Sequence, residues 1–507
     1  MQARVTEEVA SSGGTAAVLL PNVTALLLLV AALALQGHAA SVLFGSTPQG
    51  NAAKHYTNGV LVFDYLHTGI GLNPLPFAES FEVRYPLVGI GQWPPMYYAM
   101  QGVFYLVAGP FLRSAQILSA LIAATLAIIL YFSLRLRTGT RIAMIAAAIF
   151  LATPLIQSAA WEVMSDLLTG FFVYLAIVAF ARLFDEPTNR RAAITFAACA
   201  IASVLSKGSA WALGPFFLLA PLLCRRNRFF ATRWFLGPLL AVLLFGSLFY
   251  AVAAHTGFGY PTRFSHYLSV GLVQRLSTLR KVLAFAPPAL IAASLAGAIV
   301  SLRARWRLGD ASPLQTLALA SAAWLLSQLV FLFVLPMTTE PRVLTPALAP
   351  MVVLTACFLQ WLEAVAFSRK WTALIPALGG AMIIASCIAS PLSRVDGFRE
   401  AANRMPYPPD GALILVASND WGGEEEIIAE RLSHNISHKD VILRGTHVLA
   451  DVDADRRDQP LFTSPEAVRA YLLQMTVRFV VLGSPPYKFS FCLSWRRQLQ
   501  KIRRTSI

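Results

Sequence analysis

Glu162, Asp166, Lys207 and Arg342 are the residues of this chain best placed to do chemistry, because each is ionisable and stands at the end of a long apolar segment. Ionisable groups are costly in a bilayer and mark functional sites there. In Trp161-Glu-Val-Met-Ser-Asp-Leu-Leu168 the two acids lie four residues apart, a spacing that predicts one shared helix face. A carboxylate at this depth can accept a proton or bind a cation. The same stretch also suits a helix N-cap, with Ser165 and Asp166 offering oxygens to free amides. Lys207, in Leu205-Ser-Lys-Gly-Ser-Ala-Trp211, and Arg342, in Glu340-Pro-Arg-Val-Leu-Thr-Pro346, are cations suited to the oxygens of a lipid phosphate. Their plainer readings are a snorkelling lysine and an Arg342–Glu340 ion pair.

A second group of polar residues follows the first apolar run: His55, Tyr56, Asp64, His67, Glu79, Glu82 and Arg84, then Gly91-Gln-Trp-Pro-Pro-Met-Tyr-Tyr98. The Trp and Tyr residues suit a headgroup layer. His55 and His67 have no companion at metal-ligand spacing, so no His-based zinc site is expected; no cofactor is indicated, and a divalent cation stays open without a motif that calls for one.

The elements that must position these groups are membrane helices. The 507 residues are 56% apolar and 13% charged, with mean hydropathy +0.60, whereas soluble domains are about a quarter charged. The net charge of +15 and pI of 9.9 would point to nucleic acid in a soluble protein. Here many of the Arg and Lys residues sit in short loops between apolar runs, where they set topology, and no nucleic-acid partner is expected. Cys199, Cys224, Cys357 and Cys387 lie in or beside apolar runs and Cys492 stands alone, so neither a disulfide framework nor a zinc site is implied.

The first run, Ala16 to Phe44, is too long for a signal h-region, and its leader balances Arg4 with Glu7 and Glu8, so it reads as a retained span. Met96 to Leu112 contains Pro94-Pro95 before it and Gly109-Pro110 within it, and its short apolar core predicts a surface helix. Further spans are expected near 114–134, 142–160, 164–183, 191–206, 209–223, 232–254, 282–302, 312–336, 343–366 and 372–391, which makes about eleven with the first. Arg135, Arg137 and Arg141; Arg182, Arg190 and Arg191; Arg225, Arg226, Arg228 and Arg233; Arg303, Arg305 and Arg307; and Arg369 and Lys370 make alternate loops basic and therefore cytoplasmic. The opposite loops, 45–112, 255–281, the turns at Trp161–Met164, Lys207 and Pro336–Arg342, and everything after 391, are then extracytoplasmic.

The expected fold is an α-helical polytopic membrane domain, residues 1–392 including the first outer loop 45–112, followed by a small extracytoplasmic α/β domain, residues 393–507, with a basic tail. The C-terminal part reads as strand (Ala412–Ala417), turn (Ser418–Gly423), helix (Glu424–Ser433), strand (Val441–Leu443), helix (Pro465–Met475) and strand (Val477–Leu482), with a parallel sheet expected. It has no Gly-x-Gly-x-x-Gly nucleotide signature, which favours packing or acceptor positioning over catalysis.

These motifs, in this order and on one side, resemble GT-C class glycosyltransferases over roughly residues 17–366. The segments that carry the likeness are Trp93-Pro-Pro-Met-Tyr-Tyr98, Ile117-Leu-Ser-Ala-Leu-Ile122, Ser165-Asp166-Leu-Leu, Leu205-Ser-Lys-Gly208 and Pro341-Arg-Val-Leu-Thr-Pro346. The branch is that of protein mannosyltransferases and lipid A aminoarabinose transferases. The resemblance implies a multi-pass protein of the bacterial inner (plasma) membrane. It implies transfer of a sugar from a polyprenyl-phosphate carrier to an extracytoplasmic lipid, glycan or protein hydroxyl, among membrane lipids. On this resemblance Asp166 matches the second acidic position and is catalytic, and Lys207 and Arg342 match the phosphate-side cations; Glu162, Tyr56 and Tyr97 are further expected substrate contacts. The family places Asp-Glu, or Asp alone, four residues before a Tyr in the first outer loop. If Tyr56 is that Tyr, Ala52-Ala53 stand there instead. Two readings follow: Glu79 or Glu82, favoured over Asp64, serves as base, or the chain is a non-catalytic relative that binds lipid-linked glycan or scaffolds envelope glycan synthesis. A transporter is disfavoured, since neither repeats nor mid-membrane polar groups are evident.

Overall fold

The computed structural model describes residues 22–35, 51–89, 91–224, 229–230, 232–256, 269–308, 312–336, 340–365, 374–387, 397–418, 421–435, 437–452 and 458–482. The ends of the first expected span, the basic residues 225–228 and 369–370, the turn residues 419–420 and the basic tail lie outside them. The chain is mostly helical. Among the described residues six helices are long and apolar enough to cross a bilayer: Leu112–Thr138, Ser165–Asp185, Arg233–His255, Pro288–Trp306, Pro313–Val334 and Pro341–Val365. A seventh candidate is the pair Thr140–Ala152 and Pro154–Trp161, bent by 55°. Pro154 supplies no N–H and drives Thr153 out of the helical region, to ψ 126°. Gln157 Nε2 then donates to the Ala152 carbonyl at 3.0 Å, across the break. The chain is therefore a multi-pass membrane protein. The four other expected spans coincide with shorter helices, Asn22–Leu35, Arg190–Val204, Leu213–Leu223 and Leu374–Cys387. Met96–Ala108, at 13 residues, stops at the Gly109-Pro110 break.

The described residues fall into two compact units. One lies within Met1–Ala39, Gly91–Met96 and Ser119–Pro391, the other within Ala40–Ile90, Tyr97–Leu118 and Leu392–Ile507.

In the first unit, Ser165–Asp185 packs on Arg190–Val204, Pro313–Val334 and Thr345–Val365. The central stretch of Pro341–Val365 is 89% buried against 22% for Arg233–His255, so the former is an interior helix and the latter presents most of its surface outward. Phe180 sits among Phe184, Phe196, Phe216 and Phe229, with ring centroids 5.1–5.9 Å away, in mostly edge-to-face or tilted arrangements that favour aromatic pairs. Two glycines permit close helix approach. A Cβ on Gly297 would fall 1.8 Å from the Leu354 carbonyl oxygen, and one on Gly170 would fall 3.3 Å from Pro346 Cα.

In the second unit, three parallel strands are ordered β2–β1–β5, with β1 Leu413–Ala417, β2 Val441–Arg444 and β5 Phe479–Leu482; β3 (Ala450–Val452) and β4 (Asp458–Pro460) form an antiparallel pair. Trp421–His434 connects β1 to β2 and packs on Asn51–Asp64 of the first loop. Its acids are buried rather than solvated: Glu424 accepts from Arg444 Nε at 3.0 Å and Thr446 Oγ1 at 2.6 Å, and Glu425 pairs with Lys54 at 2.8 Å. Arg431 and Asp440, both fully buried, pair at 2.7 Å; Arg431 also donates to the carbonyls of Met405 and Pro406, while Asp440 accepts from Ala412 N. This network gives the buried charges the partners that burial demands.

Candidate active site

Asp166, Lys207 and Arg342 come together in the first unit, each held by a short break between helices. Glu162 ends Pro154–Trp161. Val163 follows at φ +47°, a left-handed conformation that a β-branched residue rarely adopts, and Met164 is extended at φ −119°, ψ 146°. Ser165–Asp185 begins anew after them. Glu162 and Asp166 therefore do not share a helix face as their spacing predicted: the left-handed Val163 separates them into two helices. Asp166 lies in the first turn, where the helix N-terminus favours a negative charge. No side-chain cap hydrogen bond is made at this terminus by Ser165 or Asp166, which removes the capping reading.

Lys207 is placed by the end of Arg190–Val204. Its N–H donates to the Ser203 carbonyl at 3.1 Å, its backbone is extended, and its own carbonyl accepts from Ala210 N as a 3₁₀ turn, Gly208–Ala212, begins. Met96 N donates to the Leu205 carbonyl at 3.0 Å, tying the Trp93-Pro-Pro-Met96 strip to this loop. The lysine does not snorkel. Its Nζ donates to Asp166 Oδ2 at 2.5 Å, with the Asp166 side chain fully buried and the Lys207 side chain 19% exposed. Burial pushes the Lys207 ammonium pKa down, opposed by the Asp166 carboxylate and reinforced by nearby Arg342. Asp166 Oδ1 has no hydrogen-bond partner among the described residues.

Arg342 sits in the 3₁₀ turn Pro341–Leu344, pairs with Glu340, and directs Nη1 to Met164 Sδ at 3.2 Å. The turn is anchored from Pro313–Val334, where Trp324 Nε1 donates to the Pro346 carbonyl at 3.0 Å and Gln328 Nε2 to the Val343 carbonyl. Glu162 Oε1 accepts from Ser158 Oγ at 2.7 Å, and burial raises its carboxyl pKa above the usual range, opposed by that hydrogen bond and by Arg342. Val163, Met164, Ser158, Trp324 and Gln328 were not singled out from sequence. The break that brings Met164 to Arg342 depends on a backbone angle that residue types do not announce.

The remaining expected site residues belong to the second unit. Glu79 and Glu82 lie three apart on Pro74–Arg84, the former exposed and the latter half-buried. Burial and then the Glu79 charge raise the Glu82 carboxyl pKa. Asp64 is committed to His438, whose Nδ1 lies 2.9 Å from both carboxylate oxygens. Tyr56 is fully buried and donates to the Pro110 carbonyl at 2.5 Å. Tyr97 is buried edge-on to His55, which in turn contacts Tyr98 Oη at 2.7 Å. Ala52 and Ala53 are buried. Among the described residues no three His, Cys, Asp or Glu side chains gather as a metal site.

Residues 92–252 match the family model described as dolichyl-phosphate-mannose-protein mannosyltransferase. No curated protein matches the chain. Among solved structures, ArnT from Cupriavidus metallidurans bound to undecaprenyl phosphate aligns with a TM-score of 0.53 and 13% identity, over 86% of this chain and 91% of that one. The apo form of the same protein aligns at 0.51 and 14%, over 83% and 85%. The Archaeoglobus fulgidus oligosaccharyltransferase, in complex with Zn and sulfate, aligns at 0.53 and 13%, over 82% of this chain and 62% of that one. At these identities the likeness establishes the fold.

Proposed function

We propose that this chain, a multi-pass membrane protein of GT-C glycosyltransferase fold, transfers a sugar from a polyprenyl-phosphate carrier to a hydroxyl of an extracytoplasmic lipid, glycan or protein. The observation that carries the reading is the gathering of Asp166, Lys207 and Arg342 at helix breaks of an otherwise apolar bundle. Undecaprenyl phosphate bound to ArnT, a protein of the same fold, supports a carrier of this chemistry. In the reaction, the acceptor oxygen forms a bond to the anomeric carbon as the bond from that carbon to the phosphate oxygen breaks. The acceptor proton passes to a carboxylate and the polyprenyl phosphate leaves as an anion. Lys207 and Arg342 stabilise the departing phosphate, and Asp166 holds the Lys207 ammonium in place and in its charged form. The proton acceptor is assigned to Glu79 or Glu82, because Asp64 is occupied by His438 and burial moves Glu82 toward the pKa range of a general base.

The membrane arrangement belongs to the same proposal. It comprises eleven spans with a cytoplasmic N-terminus, residues 393–507 as an extracytoplasmic α/β domain, and a bacterial inner membrane as the location. The support is the alternation of five basic loops. Incubating the purified protein with labelled polyprenyl-phosphate sugars and extracting lipid, glycan and protein products tests the activity. Label moving to an acceptor supports the proposal. Retained binding of the labelled lipid without transfer favours a non-catalytic relative, a reading that rests on the buried Ala52 and Ala53.

A further inference from the structure

The helix Leu272–Leu283 divides its surface into three arcs rather than the two of an ordinary surface helix. Stepping round at roughly 100° per residue, Thr278 and Val282 are buried, with Arg275 and Leu279 half-buried beside them, and this arc faces the protein. A second arc carries Leu272, Val273 and Leu276, which are 61%, 84% and 52% exposed, with Arg280 on it at the C-terminal end. The third carries Gln274, Ser277 and Lys281, also exposed. A helix packed on a soluble protein has no reason to keep a separate aliphatic arc in water. A helix lying at a bilayer surface beside a membrane bundle needs all three: one against protein, one against acyl chains and one against water.

Two further observations place this helix at the membrane boundary. Arg275 donates through Nη1 to the Phe333 and Val334 carbonyls at 2.7 and 2.6 Å, the last carbonyls of the span-length helix Pro313–Val334, so its guanidinium sits where that span ends. The span-length helix Pro288–Trp306 begins five residues after Leu283, and Leu295 and Ile299 on it, 58% and 51% exposed, also present aliphatic side chains outward. Arg280, exposed and on the same arc one turn beyond Leu276, stands at the C-terminal end of the helix, where its long stem can follow the acyl boundary and its guanidinium can reach anionic headgroups, while Lys281 lies on the polar arc.

We propose that Leu272–Leu283 is an in-plane interfacial helix, with Leu272, Val273 and Leu276 at the acyl boundary and Arg280, at its C-terminal end, on anionic lipid headgroups. It packs against Pro341–Leu344, the turn that carries Arg342. Lipid contact at this helix therefore bears directly on the turn that orients the candidate phosphate-side cation, which links headgroup charge to the site.

The test is nitroxide labelling of Val273→Cys, Leu276→Cys, Gln274→Cys and Ser277→Cys, all on exposed side chains, with the full-length parent protein as labelling control. The variants are placed singly in nanodiscs of phosphatidylcholine with or without phosphatidylglycerol. Labels at 273 and 276 are expected to be relaxed by oxygen and shielded from a water-soluble nickel chelate, and labels at 274 and 277 to show the reverse. Phosphatidylglycerol is expected to increase the shielding at 273 and 276, and Arg280→Gln to abolish that increase. Equal chelate access at 276 and 274, which lie on opposite sides of the helix, would overturn the interfacial placement. Shielding that is lost when two copies are separated into individual nanodiscs would assign the aliphatic arc to a second protein copy instead. Shielding indifferent to phosphatidylglycerol would overturn the headgroup assignment.

Discussion

Removing the Lys207 ammonium while leaving Asp166 in place is the sharpest perturbation available to this protein. The Asp166 side chain is fully buried, its Oδ2 accepts from Lys207 Nζ at 2.5 Å, and its Oδ1 has no partner among the described residues. Lys207→Met keeps the apolar stem and deletes the charge, so a buried carboxylate is left uncompensated, at a cost of about 3–5 kcal/mol. Asp166→Asn removes the opposite charge and leaves a lysine that is 19% exposed, able to reach solvent, so its cost is expected to be smaller. In the double variant both charges are gone, and most of the Lys207→Met loss should be recovered. A double-mutant cycle on thermal or denaturant unfolding in one fixed nanodisc composition measures this, with an expected coupling of at least about 1 kcal/mol, since contacting residues couple in the range of roughly 0.5–3 kcal/mol. Transfer activity should not return with stability in the double variant, because the cation that meets the phosphate is still absent. Additive stability losses would refute the pairing argument. Recovered transfer would refute the role given to Lys207.

Gly297→Ala should destabilise the helical unit by roughly 1–3 kcal/mol through overpacking, because its Cβ would fall 1.8 Å from the Leu354 carbonyl oxygen; unfolding midpoints against the parent protein give the answer. Burial raises the Glu162 pKa in the folded protein, so between the unfolded and folded values the folded state holds a proton that the unfolded chain has released. Stability should therefore fall as pH rises through that window and level off above the folded value, and Glu162→Gln should remove this part of the pH dependence in a stability–pH series. Glu79→Gln combined with Glu82→Gln should lower transfer by about 10²- to 10⁴-fold without loss of carrier binding, measured by single-turnover product formation; undiminished turnover would return the base assignment to another acid.

The parts of the fold readable in sequence were those carried by length and polarity. Six apolar runs became span-length helices, and the short run before Gly109-Pro110 became the 13-residue helix Met96–Ala108. Lys207 and Arg342 stood out because each is a cation at a turn that the loop-charge pattern assigned to the opposite face, and both are found beside Asp166 and its flanking Met164. What escaped was set by backbone angles and long-range contacts. The left-handed Val163 divides Glu162 from Asp166, and nothing in the residue type announces it. The pairing of Asp64 with His438 joins positions far apart in sequence, which periodicity cannot report. The alternation of strands and helices after residue 411 implied parallel pairing, whereas the strand order β2–β1–β5 depends on tertiary packing.

The most direct measurement is binding of a polyprenyl phosphate and of the corresponding uncharged polyprenol to the parent protein and to Lys207→Met and Arg342→Gln, in nanodiscs. Losing one charge-assisted hydrogen bond costs about 1.5–3 kcal/mol, or roughly 10- to 100-fold in affinity. Each variant is therefore predicted to weaken phosphate binding by about that factor and to leave polyprenol binding unchanged. Equal loss for both lipids, or no loss for either, would contradict a site built around Asp166, Lys207 and Arg342 to handle a lipid phosphate.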